Sequence, residues 1–376
     1  MSRHFYNHEK DHNRDRARPA RSHYRRVLFA TYIIAAAIAI TACSRSNKNT
    51  TPVAPGTASS AAQSPQHGIP KSKLLDDHAA EFLAYGALSG DKTALTKLQK
   101  FDSDVTPAAA YGFGVYYENQ ARLTRFSGAA NGCGSGGGLD VSKKENERIE
   151  QDLIENGNKI ALKVAQLCDK AIASYRKAST HGDPAATYRL ALMQLMTMST
   201  MQYFHDKGIT AGDYDTDMQL ACQDFLHLTR LAASEHDASA EIMLAGIFRS
   251  GSYIDCSGRA GNLSMSYKWA DSACTDGDGS QCAADADVYY GDGMTDKAER
   301  FIKMAIKHGN NRETACAIQV YYADKGAHSQ QTKECSKRCQ TLTNEQYAKY
   351  PVLKTLGDIG EQNLKQSLNS AQSEGN

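Results

Sequence analysis

The chain has 376 residues, a formal net charge of +1, 41% hydrophobic and 23% charged residues, ten cysteines and one tryptophan. This composition excludes collagen-like, mucin-like and wholly disordered chains and leaves room for a sizeable packed core. Long Ala/Leu/Lys/Glu-rich stretches, only eight prolines and few Val/Ile/Thr alternations predict an all-α protein.

Residues 1–26 carry eight Lys or Arg against three acids, a local charge of +5, which leaves −4 for the rest and argues against nucleic acid as a partner. From Val27 to Ala42 there follow sixteen residues without a charge. A membrane-spanning helix needs roughly 20, so this run has the size of the apolar region of a signal peptide. It ends Ile40-Thr41-Ala42-Cys43, which resembles the lipobox of bacterial lipoproteins. The resemblance implies a signal peptide over residues 1–42, lipidation (diacylglycerol and a palmitate-type chain) at Cys43, and export of all that follows. Ser44 in place of an Asp after the cysteine implies the outer membrane, facing the periplasm. The competing expectation is an uncleaved single-span anchor with its domain on the same side. Residues 43–72, rich in Ser, Thr, Ala and Pro, have too few apolar groups to order a backbone and are expected to be a flexible tether.

Beyond the tether the chain repeats itself. The run Ala171 to Met193 is the end of one helix, a turn at Gly182, Pro184 in the first turn of the next helix, and a new apolar stripe. The same pattern recurs around His236, Gly277 and Gly309, and the second half of the unit appears at Thr106–Tyr117. Small residues at fixed places let paired helices approach, while aromatics fill the gap to the next pair. One hairpin cannot bury that face alone, so the units must stack.

These segments resemble Sel1-like repeats, the tetratricopeptide-related helix hairpins. The resemblance implies a right-handed α-solenoid over residues 73–345, interrupted by a Gly-rich insertion at 120–145 and followed by a helical or flexible tail at 346–376. Within the Cys-rich subgroup of that family, hairpins are stapled by cysteines with seven residues between them, the spacing of Cys274 and Cys282. The resemblance therefore implies a disulfide there, in an oxidising compartment. Among the other cysteines, Cys222 with Cys256 and Cys316 with either Cys335 or Cys339 are open pairings, and at least one thiol is left over if the chain is a monomer.

Tests for catalytic chemistry give little. The Gly-rich stretch at 128–138 lacks the Gly-Lys-Ser/Thr of a phosphate loop and is expected to be a plain loop. Ser174 and Lys177 fit the Ser-x-x-Lys pattern of penicillin-recognising enzymes, but no Ser-Asp-Asn or Lys-Thr-Gly companion occurs. Cys335 and Cys339, with His328 upstream, lack a second metal-ligand pair. Asp213, Asp215, Asp217 and Asp224 have part of a calcium-loop spacing, but Met218 stands where the loop needs Gly, so Asp215 is expected to cap a helix instead. No catalytic residue, metal or cofactor is expected. The reading is a non-enzymatic lipoprotein scaffold that binds a protein or peptide in the cell envelope. The alternative, implied by the Cys-rich subgroup, is a binder of cell-wall small molecules or a β-lactam hydrolase.

Overall fold

A computed structural model of the chain describes residues 75–101, 106–124, 133, 159–206, 213–250, 261–277, 279–308, 311–324, 330–359 and 361. The signal segment, Cys43, the tether, Cys256, Gly309 and His328 lie outside the described residues. The chain divides into two compact units, Cys43–Gly357 and Met1–Ala42 with Asp358–Asn376, and the helices named below belong to the first.

They are α1 (Asp77–Leu88), α2 (Lys92–Gln99), α3 (Pro107–Thr124), α4 (Lys159–Thr180), α5 (Pro184–Asp206), α6 (Tyr214–Ser234), α7 (Ala238–Ser250), α8 (Leu263–Asp276), α9 (Gly279–Gly291), α10 (Thr295–His308), α11 (Arg312–Asp324) and α12 (Gln330–Lys349). No strand occurs among the described residues. Helices adjacent in the chain pack on each other. Several odd-numbered ones also pack on the next but one, as α1 does on α3, α7 on α9 and α9 on α11. The result is an all-α solenoid. None of the described helices is long and apolar enough to cross a membrane.

The turns explain why the hairpins form where they do. Gly182 ends α4 at φ +79°. Its N–H donates to Ser179 O at 2.9 Å, and the Asp183 N–H donates to Ala178 O at 3.1 Å. Asp183 then caps α5, accepting from the Ala186 N–H at 2.9 Å. The α6/α7 turn repeats each step with His236 at φ +67°. There the His236 and Asp237 N–H groups reach Ala233 O and Ala232 O at 3.1 and 3.0 Å, and Asp237 caps Ala240 N at 2.8 Å. This pairing of carbonyl-satisfying left-handed residue and N-cap reverses the chain within a few residues. Gly277 departs from the pattern: its backbone is extended, at φ −89° and ψ −163°.

Between helices the spacing is set by small side chains. A Cβ on Gly114 of α3 would lie 2.4 Å from the ring of Tyr175 on α4, and that ring is fully buried and has nowhere to go. The described end of the chain returns to its beginning. Helical residues at 351–357 follow α12, and their Val352 and Leu353 are buried in the cluster that holds Ala84 and Tyr85 of α1. The Val352 N–H donates to Ser89 Oγ at 3.3 Å, and the Tyr350 and Phe82 rings are 4.9 Å apart.

Candidate functional site

Taking Gly182, His236, Gly277 and Gly309 as equivalent, the residues three before and five after each occupy one slot of the repeat. The structure fills this slot differently in each unit. Ser179 Oγ and Thr187 Oγ1 are 2.7 Å apart in the α4/α5 hairpin. Thr187 donates its own proton to Asp183 O at 3.0 Å, so Ser179 is the donor to Thr187. In the α8/α9 hairpin the slot holds Cys274 and Cys282, joined at an S–S distance of 1.95 Å with Cα atoms 4.4 Å apart. In the α6/α7 hairpin the two places hold Ala233 and Glu241. Glu241 is 1% exposed and turns toward the next hairpin, where Ser272 Oγ on α8 donates to its Oε1 at 2.6 Å.

Beside Glu241 lie His236 and Asp276. His236 Nδ1 is 2.7 Å from Asp276 Oδ2, and one ligand-capable atom of each of the three residues lies within 4.8 Å of the others. Burial pushes the Glu241 carboxyl up to about 7, with the Ser272 hydroxyl opposing and the Asp276 carboxylate reinforcing the rise. Deeper in the same region Asp285 of α9 is buried. Burial, with Asp271 and Glu241 adding to it, drives its carboxyl well above the usual range.

A second polar cluster joins the first units. Arg189 of α5 is buried, with Glu81 of α1 at 3.8 Å and Glu118 of α3 at 3.9 Å. Tyr85 OH donates to Glu81 Oε1 at 2.6 Å and Tyr175 OH to Glu118 Oε2 at 2.7 Å. Burial and these carboxylates hold both phenols well above their usual range, so they stay neutral donors. A third cluster ties α7 to α10: Tyr289 donates to Asp271, Lys297 pairs with Asp271 at 3.1 Å over the Tyr289 ring, Tyr267 donates to Asp292 at 2.9 Å, and Arg249 pairs with Asp292.

Ser174 Oγ donates to Lys170 O at 2.8 Å, so its hydroxyl is bonded back to its own helix. The cap of α6 is Asp213, not Asp215: Asp213 accepts from Thr216 N at 3.3 Å and from Thr216 Oγ1 at 2.7 Å, and these bonds lower its carboxyl. Asp215 and Asp217 lie in the first turn, where acids favour the helix dipole. Cys316 is bonded to Cys339, which takes Cys339 from any thiolate site, and Cys335 is the free thiol among the described residues. Cys222 is also disulfide-bonded. A bridge between Cys133 and Cys168, which no spacing in the sequence points to, fastens Cys133 to α4. Of the repeat aromatics, Tyr188, Tyr289 and Tyr321 are buried as packing, whereas Tyr116, Tyr117, Tyr290 and Tyr322 are half-buried.

No family model matches the chain, and no curated protein does. Among solved structures, a Sel1 repeat protein from Oxalobacter formigenes is similar over 72% of this chain and 98% of its own length, at 17% identity and a TM-score of 0.31. At that score nothing about this chain's chemistry follows from it.

Proposed function

We propose that the chain is a non-enzymatic scaffold: a lipoprotein anchored through Cys43, probing the periplasm with a solenoid that docks a protein or peptide. One observation carries the reading. Many of its recurrent polar residues go into turns, caps and ties between helices, while α3, α9 and α11 each keep half-buried tyrosines (Tyr116, Tyr117, Tyr290 and Tyr322) of the kind that anchor partners. The disulfides among the described residues support an oxidising compartment. The test is crosslinking with mass spectrometry in intact cells, comparing the native chain with Cys43→Ala. A scaffold of this kind gives reproducible crosslinks to an envelope protein, and Cys43→Ala moves the chain out of the membrane fraction. A fully membrane-bound Cys43→Ala chain would sink the lipid anchor, and the absence of any specific crosslink would sink the docking role.

A further inference from the structure

The cluster at the seam between the α6/α7 hairpin and α8 is not explained by packing or by the scaffold reading. Glu241 Oε2 is fully buried and has no hydrogen-bond partner, although Oε1 of the same carboxyl is bonded to Ser272. A buried carboxylate oxygen left without a donor is costly. The nearest ionisable side chain on α8 is a second carboxylate, Asp276, which worsens the electrostatics instead of relieving them. His236 completes the group from the open side, with its side chain 74% exposed.

We propose that His236, Glu241 and Asp276 form a binding site for one divalent cation of the zinc class. The donor set is an imidazole nitrogen and two carboxylate oxygens, which suits Zn2+ and its late first-row neighbours better than Ca2+ or Mg2+, whose sites are built from oxygen alone. A cation among these atoms gives the Glu241 carboxyl the positive partner it lacks and turns the opposition of the two carboxylates into shared coordination. The three atoms already lie within 4.8 Å of one another. To bind, His236 Nδ1 and Asp276 Oδ2 open from 2.7 Å to about 3.4 Å, the edge of a tetrahedron with ~2.1 Å bonds. The exposed face of the imidazole leaves the fourth position to water or to a group from a partner. His236 also stands at a left-handed backbone position, where its counterpart in the α4/α5 turn is Gly182. The ligands come from the α6/α7 turn, from α7 and from the end of α8, so the ion would clamp two successive hairpins beside the Cys274–Cys282 bridge.

The test titrates the full chain, stripped with EDTA, with Zn2+ by calorimetry and with Co2+ by visible absorption. The expected result is one equivalent bound, Co2+ bands of a four-coordinate nitrogen and oxygen site, and binding weakened about tenfold or more in both His236→Gly and Glu241→Gln. His236→Gly removes the ligand while giving the backbone the residue that Gly182 supplies in the equivalent turn, and Glu241→Gln preserves shape; circular dichroism checks that each variant folds. Absence of binding overturns the proposal, as does binding that His236→Gly leaves unchanged. The cluster is then a carboxylate pair sharing a proton.

Discussion

The α4/α5 hairpin and the pair of hairpins from α6 to α9 use one backbone plan with opposite electrostatic outcomes. Around α4/α5 the buried carboxylates Glu81 and Glu118 share the guanidinium of Arg189 and two tyrosine hydroxyls, and the slot behind the turn closes with a hydrogen bond from Ser179 to Thr187. From α6 to α9 the buried carboxylates Glu241 and Asp285 each keep an oxygen without a partner, and the slot behind the next turn is closed covalently by Cys274 and Cys282. The difference separates two roles for the same repeat. A unit whose buried carboxylates share a guanidinium and two phenol donors is complete as structure, whereas one whose buried carboxylates each keep an oxygen without a donor is unfinished unless a ligand or a proton completes it.

The largest test of that contrast is Arg189→Met. Removing the cation leaves two carboxylates buried without their partner, and the expected cost is about 3–5 kcal/mol in denaturant unfolding. A loss under ~1 kcal/mol would mean that the first cluster is no better balanced than the second. Next come the staples. Cys274→Ala with Cys282→Ala opens a short loop and should cost about 2–3 kcal/mol, a difference that vanishes in dithiothreitol. The reciprocal change is Ser179→Cys with Thr187→Cys. Those hydroxyls are already 2.7 Å apart in the equivalent slot, so a bridge should form on oxidation, seen as the mass loss of two hydrogens, with a gain of similar size.

Asp285 sharpens the comparison through pH. Its carboxyl titrates well above the unfolded value of about 3.9, so the buried neutral acid is tolerated at low pH and stability is lost as the pH rises above ~4. Asp285→Asn removes that loss. It should be more stable than the native chain at pH 7, on the order of 1–3 kcal/mol, with the advantage shrinking toward pH 4. An advantage that grew on acidification would reverse the reading. Exchanging the turn residues is smaller: Gly182→His should cost about 1–2 kcal/mol, because a side chain there is strained, and His236→Gly should change stability by under ~1 kcal/mol in metal-free protein, since relief of that strain offsets loss of the bond to Asp276.

What could be read from the sequence follows how local each feature is. The Gly182-Asp183-Pro184 turn was legible because its bonds span no more than five residues, and the all-α class because the helical patterns are long. The cap of α6 was misplaced by two residues, since Asp213, Asp215 and Asp217 are equally suited to the role and only the backbone decides among them. The charge network was invisible: Glu81, Glu118 and Arg189 are scattered along the chain and meet only when α1, α3 and α5 stack. His236 and Asp276, forty residues apart, meet for the same reason. The packing of Val352 and Leu353 on α1 was missed because the face they cover belongs to the far end of the chain and carries no repeat signal.

The smallest expected effect isolates the slot itself. In Ser179→Ala the donor to Thr187 Oγ1 is lost, but Thr187 keeps its own bond to Asp183 O and the site is only partly buried, so no polar group is stranded. The cost should sit at the low end for a neutral hydrogen bond, about 0.5–1 kcal/mol by chemical denaturation. Adding Thr187→Val removes a second bond, the one that holds the first turn of α5 to its cap residue, and the double variant should lose more than the single. If Ser179→Ala instead costs as much as losing the Cys274–Cys282 bridge, then the hydroxyl pair fixes the hairpin as firmly as a covalent staple. The two kinds of unit would then differ in their buried charges alone.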